Sequence, residues 1–214
     1  MKIHHTDQDQ ITMLKDWWRN YGKGLTIAVV LGILLGYGVR FWHVHRDSVM
    51  QKASIQYQTL LETYLDKPSN IKSVHSMAQN LKAHYARTPY APLASLFLAK
   101  SYVAEEKYNE ALTELSWILQ HSQDKTFKQI ARLRSARILL AQNKTDQALN
   151  LLNTIDDSTY QPYVDLIKGD IYQTQQTPEK AQESFEQASI QLNQMQIPYE
   201  LLPLIQSTPP STSS

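Results

Sequence analysis

The chain has 214 residues, with 21 lysines and arginines against 20 aspartates and glutamates, seven histidines and no cysteine. This near-neutral balance gives no broad electrostatic field to attract nucleic acid, so we expect no nucleic-acid partner. The lack of cysteine excludes disulfides, thiol catalysis, cysteine-ligated zinc and a lipoprotein anchor. Side-chain packing alone must therefore hold the fold.

The first predicted element is an amphipathic helix within residues 7–21. Ile11, Leu14, Trp18 and Tyr21 recur at the spacing of one helical stripe. We expect this segment to lie along a membrane surface and to turn inward at residues 21–24, where two glycines occur.

The next element is an apolar segment that predicts a single transmembrane anchor over residues 23–42. Sixteen uncharged residues separate Lys23 from Arg40 and cover roughly 24 Å of a hydrocarbon core of about 30 Å. Phe41 and Trp42 lengthen the segment. Aromatic residues flank both ends, as interfacial belts do. These are Trp17, Trp18 and Tyr21 before the span and Phe41 and Trp42 after it.

Two other interpretations of this segment are weaker. Five of the six glycines lie at residues 22–38, which is unlike a buried soluble helix. A cleaved signal peptide needs a short basic start, whereas 23 residues precede this run. An uncleaved signal anchor fits best, and Gly32-x-x-x-Gly36 would let another membrane helix approach closely. Four lysines or arginines lie before the span and three after it, so charge leaves the orientation open.

The sequence predicts neither a metal site nor an active site. The histidine pairs, His4 with His5 and His43 with His45, lack the i, i+4 spacing that places two imidazoles on one helix face. Carboxylates and serines are scattered, and no glycine-rich loop follows the span. We expect no cofactor and no enzymatic activity.

The remainder of the chain predicts an all-α repeat array. Strand-like alternation is absent from it, and Pro68, Pro89, Pro92, Pro162 and Pro178 punctuate the helical segments. Three segments carry matching residues at offsets of 0, 3, 9, 12, 16 and 19. The matching sets are Ala99, Tyr102, Tyr108, Ala111, Leu115 and Ile118; Ala136, Leu139, Thr145, Ala148, Leu152 and Ile155; and Gly169, Tyr172, Pro178, Ala181, Phe185 and Ala188.

These three registers predict tetratricopeptide-like hairpins. Ala111, Ala148 and Ala181 are 37 and 33 residues apart, close to the 34-residue period of that repeat. Residues 51–85 predict a fourth, degenerate hairpin, because Ala78 lies 33 residues before Ala111. The expected organisation is a repeat domain over 43–206, with the apolar segment 197–206 as a short cap, and a disordered tail over 207–214.

The order of these features resembles the YfgM-type family of ancillary subunits of the bacterial SecYEG translocon. The resemblance rests on Asp9-Gln10, on the aromatic-x-x-Tyr-Gly-Lys run of residues 18–23, on Arg40-Phe41-Trp42 and on the repeat segments 90–96 and 133–137. It covers nearly the whole chain, and the proline-rich tail departs from it.

The resemblance implies a single-pass inner-membrane protein of a Gram-negative bacterium. Residues 1–22 would lie in the cytoplasm and the repeats in the periplasm. The implied partners are SecYEG and a periplasmic chaperone of the prolyl-isomerase type (PpiD-like), in the folding or trafficking of exported polypeptides. A second hypothesis is a scaffold that regulates a stress-response signalling protein through its cytoplasmic helix.

The tetratricopeptide pattern also predicts which residues line a partner groove. It places them six and three residues before each small residue and one and four after it. The twelve positions are Leu93, Leu96, Lys100 and Val103; Ile130, Leu133, Arg137 and Leu140; and Tyr163, Leu166, Asp170 and Gln173. Eight of the twelve are apolar, which favours an apolar helix or an unfolded segment as ligand. The alternative, that some of them belong to the core, stays open.

Overall fold

A computed structural model describes residues 7–66 and 71–195 of the chain. In this part, every regular element is a helix, which confirms the predicted all-α class. The chain divides into two compact units, Met1–Lys52 and Ala53–Ser214. His4 and His5, Pro68, the predicted cap 197–206 and the tail 207–214 lie outside the described residues.

Helix α1 (Asp7–Asp66) contains the predicted anchor. An 18-residue window of it has a mean hydropathy of 1.8, and none of that window is buried. Large apolar side chains of this helix are exposed, including Leu35 (69% exposed) and Phe41 (75% exposed). Exposed apolar surface of this extent is unfavourable in water, so the segment suits a hydrocarbon environment. This agrees with the predicted membrane span.

The expected turn at residues 21–24 is wrong, because α1 remains helical there. The Thr26 hydroxyl donates to the carbonyl oxygens of Gly22 (3.0 Å) and Lys23 (2.9 Å). The indole ring of Trp18 covers Gly22, where a methyl group would lie only 3.0 Å from the ring. These local contacts support the helix at Gly22 and Lys23, inside the segment where the turn was expected.

The second unit continues from the end of α1 into seven more described helices joined by short connections. Their bounds are α2 (Ile71–His84), α3 (Tyr90–Ala104), α4 (Tyr108–His121), α5 (Lys125–Ala141), α6 (Thr145–Leu152), α7 (Gln161–Thr174) and α8 (Pro178–Gln194), with a short 3-10 turn at Ser158–Tyr160 before α7. They pair as hairpin 1 (residues 53–66 of α1 with α2), hairpin 2 (α3 and α4), hairpin 3 (α5 and α6) and hairpin 4 (α7 and α8).

The small residues lie at the helix crossings, as the repeat register predicts. Ala111 and Ala148 are fully buried, and Ala181 is 3% exposed. The core contains three clusters, each of which joins a hairpin to the first helix of the next. Leu98 on α3 belongs to the cluster of hairpin 1, and Ala131 on α5 to that of hairpin 2. Successive hairpins are therefore joined by buried apolar packing.

The turns inside hairpins 2, 3 and 4 repeat one geometry. Glu106, Asn143 and Gln176 adopt φ values of 58°, 57° and 57°, and each lies five residues before a crossing alanine. In the first of these turns the amide of Glu106 donates to the Val103 carbonyl (3.0 Å) and that of Lys107 to the Tyr102 carbonyl (2.8 Å). This is the Schellman ending of a helix, in which glycine is the usual left-handed residue. The sequence hid it, because none of the three residues is glycine.

Hairpin 4 differs from hairpins 2 and 3 at its closest helix contact. Gly169 on α7 lies beneath the ring of Phe185 on α8, and a Cβ atom added at Gly169 would come within 2.4 Å of that ring. The earlier repeats hold an alanine and a leucine at these two positions, Ala99 with Leu115 and Ala136 with Leu152. A smaller residue on one helix thus accommodates a larger one on the other.

A buried polar network joins hairpins 1 and 2. The Glu114 carboxylate forms an ion pair with Lys82 and accepts from Gln79 Nε2 (3.1 Å) and the Ser95 hydroxyl (2.9 Å). Lys82 also lies 5.2 Å from the centre of the Trp117 ring. Because each carboxylate oxygen has a donor, the desolvated charge of Glu114 is compensated.

Candidate functional site

The first helices of successive hairpins lie side by side. Helix α5 contacts both α3 and α7, whereas the second helices α4, α6 and α8 do not approach one another as closely in the described part of the chain. The first helices therefore form the tighter, inner side of the array. We call the surface formed by α3, α5 and α7 on this side, with the predicted groove positions, the inner groove.

The structure divides the predicted groove residues into three kinds. Leu96 is 7% exposed and belongs to the core cluster of hairpin 2, so at this position the core alternative holds. Most of the others are half-buried. These are Leu93, Val103, Ile130, Leu133, Arg137, Leu140, Tyr163 and Leu166. Lys100, Asp170 and Gln173 are exposed.

Half-burial is what a shallow apolar groove requires. Leu133 and Leu140 rest against the core cluster of hairpin 3, and Val103 and Ile130 against that of hairpin 2. Leu93, Tyr163 and Leu166 are half-buried but belong to none of the three clusters. These three are therefore the apolar groove positions that contribute least to the core, and two of them are leucines.

Charged residues concentrate on the α5 and α7 side of the inner groove. Arg134 precedes Arg137 by one helical turn on α5, and Asp170 lies on the neighbouring α7. Burial lowers the pKa of Arg137, with the charge of Asp170 opposing the shift and that of Arg134 adding to it. Although Arg134 and Asp170 are exposed as whole residues, desolvation of their charged groups by neighbouring atoms lowers the pKa of Arg134 and raises that of Asp170. Arg134 was missed by the sequence pattern, which considers only four positions per repeat.

Aromatic rings extend the contact between first helices to hairpin 1. Tyr57 packs against Tyr90 with ring centres 5.9 Å apart, and Tyr64 meets Phe97 edge to face at 4.9 Å. Burial raises the pKa of the Tyr57 hydroxyl. The repeat offsets gave no indication of these pairs, because hairpin 1 is degenerate in sequence.

The predicted membrane anchor presents aromatic side chains and small residues. Trp17, Trp18 and Tyr21 are exposed before the span, and the Arg46 guanidinium lies 5.7 Å from the Trp42 ring after it. Gly32 and Gly36 have open space around the positions that a Cβ atom would take.

The described residues contain one serine–histidine contact but no assembled catalytic site. Ser101 Oγ lies 3.0 Å from His75 Nε2, between α3 and α2, and the imidazole packs against the Tyr102 ring. Among residues 7–66 and 71–195 no side chain is hydrogen-bonded to the other nitrogen of His75, and no three metal-ligating residues cluster. An activated serine needs such an orienting group, so this pair is better interpreted as an interhelix contact.

Comparisons with known proteins agree with this architecture. The family model for a tetratricopeptide repeat-like domain matches residues 15–206. A Haemophilus influenzae protein named "Ancillary SecYEG translocon subunit" is 30% identical over 85% of this chain and 88% of its own length. Proteins of the same name from Escherichia coli (29%, over 79% and 81%) and Neisseria gonorrhoeae (26%, over 94% and 96%) are also similar. No solved structure matches the chain.

Proposed function

Because this chain belongs to the family of ancillary SecYEG translocon subunits, whose fold is tetratricopeptide repeat-like, we propose that it is an inner-membrane subunit associated with the translocon. Residues 1–22 would face the cytoplasm, residues 23–42 would cross the membrane, and the repeat domain would lie in the periplasm. The exposed apolar span supports membrane attachment. Residues 207–214 would form a tail with no assigned role.

The repeat domain would act as an interaction module that joins SecYEG to a periplasmic chaperone of the PpiD type. Through these contacts it would assist the folding or trafficking of exported polypeptides. The observation that carries this proposal is the row of half-buried apolar residues along three neighbouring first helices, which extends beyond what the core clusters contain. A shallow apolar row of this kind suits an apolar helix or an extended segment.

Leu93 and Leu166 provide the sharpest test of the inner groove. The pair Leu93→Ser and Leu166→Ser should abolish co-purification of the chaperone and the translocon from detergent-solubilised membranes. Leu119→Ser with Leu149→Ser is the control, since both are half-buried leucines on second helices. Because both also pack against core clusters, this pair is the more demanding test of whether the fold tolerates serine. The helical far-UV circular dichroism signal should remain in both proteins. Partner binding that survives the groove pair with the fold intact would place the partner surface elsewhere.

The proposed contact within the membrane is limited to two glycines of the anchor. Gly32 and Gly36 would contact another membrane helix, and the open space beside both glycines leaves room for one. Replacing both with isoleucine should weaken co-purification of SecYEG without affecting the repeat domain. Unchanged co-purification would remove these glycines from the proposed interface.

Orientation and the two functional hypotheses are tested separately. Protease added to spheroplasts should digest the repeat domain and leave residues 1–42 protected. Protection of the repeats until lysis would reverse the proposed orientation.

A chimera that keeps residues 1–42 and replaces the repeats should lose translocon-associated function. If regulation of a signalling protein through residues 1–22 were the function, that chimera would remain active.

A further inference from the structure

The charges on the inner groove are unbalanced. Lys100, Arg134 and Arg137 contribute three positive charges, and Asp170 contributes one negative charge. Lys100 and Arg134 are exposed, and neither forms an ion pair or a hydrogen bond with another side chain in the described part of the chain. The groove is thus locally cationic although the whole chain is nearly neutral, with a formal net charge of +1.

The positive charge of the two arginines cannot be removed by deprotonation. They lie one turn apart on α5, where like charges disfavour each other. Burial is the main cause of the lowered pKa of Arg137, and the charge of Arg134 lowers it further. A guanidinium stays protonated under any ordinary condition, so the site cannot relieve the repulsion by losing a proton. Asp170 relieves it in part from α7. A carboxylate from outside would relieve it further, and guanidinium groups match carboxylates with paired hydrogen bonds.

We propose that the inner groove selects an extended polypeptide segment in which a carboxylate side chain lies among apolar residues, with the carboxylate at Arg134 and Arg137. This inference rests on the proposed function, because it specifies the ligand of the same groove. The half-buried Leu133 and Leu140 flank Arg137 on α5 and would receive the apolar side chains of the ligand. Asp170 competes with the ligand carboxylate for Arg137, so removing the negative charge of Asp170 should strengthen ligand binding.

Peptide binding to the full-length protein in detergent micelles tests the inference. Three fluorescein-labelled, leucine-containing peptides of about 15 residues, roughly 50 Å when extended, would differ only at two central positions, which are Glu, Gln or Lys. By fluorescence anisotropy the Glu peptide should bind about three- to tenfold more tightly than the Gln peptide, and the Lys peptide more weakly than both. Raising salt from about 0.1 M to 1 M, which shortens the Debye length from about 10 Å to 3 Å, should reduce these differences.

Protein variants then locate the effect. Arg134→Gln with Arg137→Gln should reduce the spread among the three peptides to less than about twofold. Lys125→Gln with Lys144→Gln removes two positive charges from exposed positions at the helix starts of the same hairpin and should preserve the spread. Asp170→Asn should tighten binding of the Glu peptide about two- to threefold, whereas simple damage to the groove would weaken it.

The outcomes separate this inference from the proposed function. Equal binding of all three peptides to the wild-type protein would overturn the charge selection and leave an apolar groove in place. A spread that persists in the double arginine variant would overturn the assignment to Arg134 and Arg137. If no peptide binds while the protein still co-purifies with the translocon, the inner groove is not the ligand site, and both proposals about it fail.

Discussion

The contact between Gly169 and Phe185 gives a quantitative test of how hairpin 4 is packed. In Gly169→Ala the new methyl group would lie 2.4 to 2.7 Å from three atoms of the Phe185 ring, far inside van der Waals contact. Overpacking of this kind costs about 1 to 3 kcal/mol. Alanine gains about 1 kcal/mol over glycine in helix propensity. The net loss for the single substitution is therefore between about zero and 2 kcal/mol.

A double-mutant cycle removes the propensity contribution. Phe185→Leu alone should cost about 1 kcal/mol, because it removes buried apolar surface above Gly169. Gly169→Ala combined with Phe185→Leu restores the alanine–leucine pair of hairpins 2 and 3 and should be close to the wild type in stability. The expected coupling energy is about 1 to 3 kcal/mol in favour of the double variant.

Urea unfolding of the full-length protein in detergent, followed by far-UV circular dichroism, measures this coupling. With a slope of about 1 to 3 kcal/mol per molar urea, the shifts in midpoint are readily resolved. Ala136→Gly is a useful control, because it lacks a facing phenylalanine and should only destabilise. A coupling energy below about 0.5 kcal/mol would show that the ring yields freely and that the size exchange is not what shapes this hairpin.

Three further predictions concern other parts of the repeat domain. Glu106→Gly and Gln176→Gly should each stabilise the domain by about 1 kcal/mol, since both residues adopt left-handed conformations. Gln175→Gly, at the neighbouring position, should destabilise it, and equal thermal shifts for the substitutions at 175 and 176 would contradict the turn assignment. Glu114→Ala should cost about 3 to 5 kcal/mol by leaving Lys82 buried without its partner, and adding Lys82→Met should recover most of that loss in the same urea assay. Ala181→Leu should cost about 1 to 3 kcal/mol, and an unchanged melting temperature would mean that its helix crossing is looser than its burial indicates.

Most of the fold could be predicted from the sequence because its signals are periodic. An uncharged apolar run predicts the long exposed helix that suits a membrane, and the small residues Ala111, Ala148 and Ala181 predict the hairpin crossings. Both signals arise from simple steric or solvation requirements that tolerate little variation. The expected turn at residues 21–24 failed because glycine is only a weak helix breaker, and Thr26 and Trp18 provide local support there.

The site was less accessible to sequence reasoning. A groove position and a core position have the same apolar composition, so the pattern did not separate Leu96, which is buried, from Leu93, which is half-buried. Arg134 fell between the positions that the repeat pattern marks. The pairing of Lys82 with Glu114 joins residues 32 apart in sequence on different hairpins, and no local spacing reports such a contact.

The polar network around Glu114 has a consequence for recombining this protein. Its four members come from α2, α3 and α4, so the boundary between hairpins 1 and 2 is a poor place to join modules from two parents. A crossover there would take Lys82 from one parent and Glu114 from the other, so the ion pair could be lost. Crossovers between α4 and α5 keep Gln79, Lys82, Ser95 and Glu114 together, and libraries built with that junction should yield more folded chimeras.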